Sequence, residues 1–286
     1  MKFHISKKEL FKSISHLQGI VDKKNSLPIL SNILIEANDN YLKLSSTDMD
    51  ISIIDKISCN VQESGSTTIN SQIFYDIIRK LDEDSNIEII SNDSKILTLR
   101  SEGSRFSLAC LPKEDFPIID YNNEGSSVKI NSQDLFKLID KTKFAISNEE
   151  TRYFLNGLYF NINRENDLNV VTLVGTDGHR LAKFSYNLEI NIDEISGVII
   201  PKKTIYELSK LLSEIDDDVE ILISSNKVIF LIGNIVFISK LIDGSFPDYK
   251  RVIPTDNTNI LKINRDKLLS AVDRVSTIAN EKSPVI

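Results

Sequence analysis

One short phrase recurs five times along the chain: an isoleucine that closes a small apolar run, a Ser, Asn or Pro able to cap a helix, then apolar residues at helical spacing. The copies are Ile5-Ser6-Lys7-Lys8, Ile69-Asn70-Ser71-Gln72, Ile130-Asn131-Ser132-Gln133, Ile200-Pro201-Lys202-Lys203 and Ile263-Asn264-Arg265-Asp266, separated by 64, 61, 70 and 63 residues. A period held this closely predicts a repeated architectural unit and limits the chain to folds that pair or stack one small motif. A coarser period lies over it. Thr47-Asp48 is matched by Thr176-Asp177, and Leu111-Pro112 with Asp115-Phe116-Pro117 is echoed by the run from Asp243 to Pro247 ahead of Asp248-Tyr249. These offsets of about 130 residues span two small units, so the chain is built from pairs.

Each phrase opens a helical pattern, predicted over 6–17, 71–81, 132–146, 201–212 and 264–278. Leu10, Phe11, Ile14 and Leu17 in the first, and Ile73, Phe74, Ile77, Ile78 and Leu81 in the second, fall at i, i+3, i+4 spacing, so each helix buries one face. Behind the first helix come runs that alternate or are rich in β-branched residues, over 29–37, 41–46 and 51–57, with Asn38-Asp39-Asn40 marking a turn. Behind the second come 86–90, 96–100 and 106–110. The unit reads β-α-β-β-β. Two units per domain pack their helices side by side on antiparallel sheets, an α+β arrangement.

The net charge of −7 over 286 residues argues against a polyanionic partner until the charges are placed. The five predicted helices hold fourteen Lys and Arg against seven Asp and Glu, an excess of +7 that leaves −14 on the rest of the chain. A basic helix side and an acidic strand side attract a polyanion to one surface and repel it from the other.

Cys59 and Cys110 lack CxxC spacing and lie in strand-like runs, which predicts two buried, reduced thiols rather than a disulfide or a metal site. No apolar run approaches the roughly 20 residues a bilayer requires. Met1-Lys2-Phe3-His4 lacks the apolar core of a signal peptide, so a cytoplasmic protein with no membrane partner is expected.

Leu27-Pro28-Ile29-Leu30, Ser104-Arg105-Phe106-Ser107-Leu108, Asp115-Phe116-Pro117, Arg152-Tyr153-Phe154-Leu155-Asn156-Gly157, Thr176-Asp177-Gly178-His179-Arg180-Leu181 and Phe246-Pro247-Asp248-Tyr249 occur in this order along the whole chain. In these motifs the sequence resembles the bacterial sliding clamps, the β subunits of DNA polymerase III. The resemblance implies the DNA clamp fold, with helices on the inner face and antiparallel sheets outside, in a head-to-tail homodimeric ring of three domains per subunit. It implies a non-catalytic processivity factor without cofactors. Its partners would be double-stranded DNA held without sequence preference, the polymerase III catalytic subunit, the clamp loader and other proteins carrying clamp-binding peptides. The domains would be 1–122, 126–254 and 260–286. The third would be incomplete, because the family has six units and this chain ends after the fifth helix and Lys282-Ser283-Pro284-Val285. The homodimer is then expected of the full-length form.

Read from its residues alone, the run from Thr176 to Leu181 has several meanings. Asp177, His179 and Arg180 would serve as base, nucleophile partner and anion binder in an enzyme; Asp48 and Asp50 would join them in a metal site; or the run is a plain turn. No Gly-rich phosphate loop or nucleophile motif accompanies it. The resemblance implies a different role, one wall of a partner-peptide pocket formed by Leu155, Thr176, Gly178, His179, Arg180, Leu181, Pro247, Arg251 and Val252. It also implies DNA contacts at Lys24, Arg79, Arg105, Lys137, Arg152, Tyr153, Phe154, Lys202 and Lys203, with Glu149 weakening the contact near it. Exposed lysines on helices are also what a merely solvated face looks like. Phe106 and Leu108, with Ile278, are implied at the dimer interface, where ordinary core packing is the alternative. A scaffold of repeated units that binds peptides without encircling nucleic acid remains a second reading of the whole, and an enzyme a third.

Overall fold

The computed structural model describes residues 1–21, 27–92, 95–117, 119, 121, 125–188 and 195–278. It divides into a larger body, Met1–Phe246, and a smaller one, Pro247–Ile286. In the larger body the β-α-β-β-β unit occurs four times among the described residues. The first copy is β1 (Lys2–Ser6), α1 (Lys7–Gln18), β2 (Asn32–Asn38), β3 (Tyr41–Thr47) and β4 (Ile51–Ser58). After a short β5 (Asn60–Glu63), the second is β6 (Gly65–Asn70), α2 (Ser71–Lys80), β7 (Asn86–Ser91), β8 (Ile96–Ser101) and β9 (Ser104–Ala109). The third is β10 (Ser126–Asn131), α3 (Ser132–Asp140), β11 (Gly157–Glu165), β12 (Leu168–Thr176) and β13 (Leu181–Leu188). The fourth is β14 (Ile195–Pro201), α4 (Lys202–Ser213), β15 (Asp218–Ile223), β16 (Lys227–Ile232) and β17 (Ile235–Lys240).

The recurring phrase works as a strand end followed by a helix cap. Ser6, Asn70 and Asn131 accept the backbone N–H of Glu9, Ile73 and Gln133 and so satisfy donors that have no partner within the helix. Leu10, Ile14 and Leu17 of α1 and Phe74 and Ile78 of α2 are fully buried. Each such side chain contributes about 1.5–3 kcal/mol through burial. Helix α1 packs on α2, and α3 on α4.

The strands pair across the repeat. The first strand of each unit joins the three-strand meander of the other unit in its pair: β1 lies beside β7, β6 beside β2, β10 beside β15 and β14 beside β11. Neither unit of a pair is a closed sheet without its neighbour. The two pairs are then joined edge to edge, because β17 runs antiparallel to β4 with Ile235 opposite Asp55 and Ser239 opposite Ile51. One eight-stranded sheet, β10-β15-β16-β17-β4-β3-β2-β6, thus crosses from the first pair to the second.

Three expectations are corrected. The run 29–37 is not strand throughout, since Pro28–Ser31 forms a 3-10 turn before β2; proline, with its fixed φ and missing N–H, opens such a turn readily. The helix expected over 132–146 stops at Asp140. There Thr142 Oγ1 donates to the carbonyl of Leu138 at 2.7 Å, competing with the helical ladder, and Lys143–Ala145 continues as a separate 3-10 turn. Neither cysteine is in a disulfide, but both are only partly buried, because each lies just beyond the end of a strand rather than inside it. Burial, with a smaller contribution from Glu9, pushes the Cys59 thiol up to about 11.

In the smaller body, Tyr249–Val252 forms a 3-10 turn, and α5 (Arg265–Ser276) is capped by Asn264. The apolar stripe of α5, Leu268, Leu269, Val272 and Val275, is exposed. Among the described residues no helix is long and apolar enough to cross a membrane.

Candidate functional site

The run from Thr176 to Leu181 joins β12 to β13 as a tight turn held by its own side chains. Thr176 Oγ1 donates to the Arg180 carbonyl at 2.8 Å and accepts the Gly178 N–H at 3.1 Å. Asp177 Oδ1 accepts the N–H groups of His179 and Arg180 at 3.0 and 2.9 Å, while Oδ2 accepts Arg180 Nε at 2.9 Å. These donors, the Arg180 N–H first and the His179 N–H next, hold the Asp177 carboxyl below its ordinary range. A carboxylate so engaged staples a turn and is ill suited to take a proton from a substrate.

The same bonds recur in the first unit. Thr47 Oγ1 donates to Ile51 O and accepts Met49 N–H, and Asp48 Oδ1 accepts the N–H groups of Asp50 and Ile51. Asp48 and Asp50 thus belong to their own turn. Among the described residues no group of three or more His, Cys, Asp or Glu is placed to hold a metal ion.

Around the second turn the structure brings together residues from two of the sets taken from the resemblance. Arg152 Nη2 donates to the Asp177 carbonyl at 3.3 Å, and its Nη1 packs so close to Gly178 that a Cβ there would lie 2.5 Å away. Gly178 has φ of 88°, where a side chain is strained in any case. Arg152 also pairs with Glu149 at 2.7 Å, which lowers the Glu149 carboxyl and raises the Arg152 guanidinium. Arg180 stacks 5.7 Å over the ring of Phe144, an exposed aromatic outside every motif named above. Phe144 falls within the span predicted as helix, but α3 ends at Asp140 and Phe144 lies in the 3-10 turn that follows.

Leu181 is half-buried, whereas Leu155 is only 3% exposed and belongs to the interior rather than to an open apolar wall. Tyr153 and Phe154 meet edge to face at 5.9 Å, with Tyr153 exposed. Pro247, Arg251 and Val252 are exposed in the smaller body, where Arg251 pairs with Asp248 at 2.8 Å.

On α2, α3 and α4 one basic residue pairs with an acid a turn before it, the α4 pair being Lys210 with Glu207. Arg79 pairs with Asp76 and lies over Tyr75, and Lys137 pairs with Asp134 at 3.1 Å. Such exposed i,i+3 pairs are worth well under about 1 kcal/mol, so a phosphate displaces the acid at little cost. Lys202 reaches the side-chain oxygen of Asn148 and lies 5.6 Å over Tyr206. Lys203 Nζ bonds the Ile20 carbonyl and Asp48. Arg105 is exposed at the start of β9, and Lys24 lies outside the described residues. Phe106 and Leu108, also on β9, are half-buried against the core while their strand forms one edge of the five-stranded sheet. Ile278 is exposed just beyond α5.

Residues 1–120 match the family model of the DNA polymerase III beta subunit, N-terminal domain, and residues 129–248 match that of its central domain. The Beta sliding clamp of Caulobacter vibrioides is 42% identical over 284 residues, which cover 99% of this chain and 76% of the relative. That of Pseudomonas aeruginosa is 34% identical over 283 residues, covering 99% and 76%. Among solved structures, a DnaN sliding clamp from Bartonella birtlesii bound to griselimycin superposes with a TM-score of 0.94 at 43% identity, covering 99% of this chain and 76% of that one. The chain thus spans about three quarters of the length of these relatives. The capped repeat, the exchanged first strands and these matches lead to one assignment: the chain belongs to the beta sliding clamp family, the non-catalytic processivity subunits of DNA polymerase III.

Proposed function

We propose that this chain works as a sliding clamp that encircles duplex DNA without reading its sequence and tethers the replicative polymerase and other peptide-bearing partners to it. The observation that carries the reading is the joint between β4 and β17. It links one pair of units to the next edge to edge, and the same step repeated is a way to build a closed array without exposed sheet edges. Two of the edges left over, β9 with Phe106 and Leu108 and β13 with Phe184 and Tyr186, carry apolar side chains that further joints would cover. On this reading the domains lie at 1–122, 126–254 and 260–286, and the full-length form is a homodimeric ring set on DNA by a clamp loader in the cytoplasm.

Topological linkage replaces tight binding, so weak contacts suffice. Arg79, Arg105, Lys137, Arg152 and Lys202, with Lys24, supply phosphate contacts of the kind that carry no base information, which suits a ring that must move along the duplex. Tyr153 and Phe154 offer an aromatic face next to them. For partner peptides, Arg180 on Phe144, Leu181, Gly178 and Thr176 of the larger body supply contacts with apolar anchors, and Pro247, Arg251 and Val252 of the smaller body supply contacts of their own. Retention of the full-length form on circular against linearised plasmid, measured by gel filtration after loading, tests the encirclement. A clamp stays on the circle and runs off the line; equal retention on both overturns the reading.

A further inference from the structure

Lys203 stands in the first turn of α4, and although exposed it reaches with its ammonium group toward the first pair of units. Its Nζ donates to the Ile20 carbonyl at 3.0 Å, just past the C-terminal end of α1, and to the carboxylate of Asp48. A cation at that position lies near the negative end of the α1 dipole. Asp48 is itself fixed, since its other oxygen accepts the N–H groups of Asp50 and Ile51 at 3.0 and 2.7 Å. The side chain of Asp48 is 12% exposed against 41% for Lys203, so the acid is the buried anchor and the lysine the reaching arm. Around them Lys240 pairs with Asp50 at 3.0 Å, and Glu207, one turn after Lys203, packs directly against Gly19.

We infer that Lys203 is a strut between the two pairs of units whose charge Asp48 neutralises, and that Asp48 stands in for a DNA phosphate and keeps this lysine out of the phosphate-contacting set. The inference rests on the proposed DNA function only in its second half. Asp48→Asn keeps the oxygen that holds the turn and loses the charge that holds the lysine, which separates the two roles.

The test combines urea and thermal unfolding of the whole chain with fluorescence anisotropy of a labelled duplex across a salt series. Lys203→Met lowers the unfolding midpoint by about 2–4 °C, Lys203→Arg restores most of it, and Asp48→Asn with Lys203→Met loses no more than Lys203→Met alone. Asp48→Asn releases the ammonium group and steepens the log K against log salt slope by about 0.9, a gain that vanishes in the double variant. An unchanged midpoint in Lys203→Met, or additive losses in the double variant, overturns the strut. A slope unaltered by Asp48→Asn overturns the masking. A chain that shows no salt-dependent duplex binding at all refutes the DNA reading and the masking with it, and leaves the strut to be decided by the unfolding cycle.

Discussion

Met49 and Gly178 hold the same place in two copies of one turn, with φ of 81° and 88° and with their N–H groups donated to Thr47 Oγ1 and Thr176 Oγ1 at 3.0 and 3.1 Å. The later copy uses the residue for which this backbone costs nothing; the earlier one forces a methionine into it. The left-handed region costs an L-residue about 1–2 kcal/mol, offset in part by the entropy glycine loses on folding. Met49→Gly is expected to gain up to about 1 kcal/mol of stability. Gly178→Ala is expected to lose about 1–2 kcal/mol and to push Arg152 away from Asp177. Urea midpoints of the two variants check the asymmetry.

The Arg180 and Phe144 stack, with Leu181 beside it in sequence, should carry the peptide contacts without supporting the fold. Arg180→Ala and Leu181→Ala are each expected to weaken a labelled polymerase peptide by about 10-fold or more, the usual cost of truncating an anchor contact, while the unfolding midpoint stays put. Leu155→Ala is expected to behave differently and to cost about 2–5 kcal/mol of stability, because its side chain fills the interior. Anisotropy titrations beside thermal melts distinguish the two kinds of loss. A peptide that binds the Arg180 and Leu181 variants unchanged refutes the pocket wall.

Charge reversal on the helices should act on DNA alone. Arg79→Glu, Lys137→Glu and Lys202→Glu together should weaken duplex binding and flatten its salt dependence by about 0.9 per lost phosphate contact. The melting temperature should move little, since exposed charges away from buried networks contribute about 0.5 kcal/mol or less. Binding measured from low to physiological salt gives both quantities.

The Asp177 staple sets an acid-side dependence. Its folded carboxyl is held below the unfolded value of about 3.9, so its contribution is fully present above that pH and is lost as the pH falls through the folded value. Asp177→Asn should therefore be less stable than the parent near neutrality and should lose less between pH 5 and pH 3, a comparison read from urea midpoints across that range.

The Cys59 thiol, pushed up to about 11 by burial, carries about 100-fold less thiolate at neutral pH than an ordinary cysteine. Iodoacetamide should label it that much more slowly in the folded chain than in urea, as peptide mass spectrometry would report.

The features legible in the sequence were those written locally. Ser6, Asn70, Asn131 and Asn264 each sit beside the helix they cap, and the apolar spacing behind them fixes which face is buried. What the residues alone could not convey were pairings between distant segments. Nothing near Phe3 says that its strand lies beside Ile89 rather than beside its own meander, and nothing near Lys203 says that Asp48, 155 residues away, takes up its charge. The resemblance assigned Arg152 to the DNA contacts and the Thr176 turn to the peptide pocket; that the two touch, and that Leu155 is buried while Phe144 is exposed, follows only from the folded chain.

The ladder between β4 and β17 also has a mechanical meaning. A joint made of parallel rungs of N–H···O bonds loaded together resists stretching in the plane of the sheet, since all rungs must fail at once, yet it yields readily to twist about the strand axis. Stress arising when such a molecule is pried apart would pass through this seam as torsion and concentrate at whichever contact has fewer rungs. The continuous sheet is in that sense a stiff arm, and the compliance of any assembly built from it lies elsewhere.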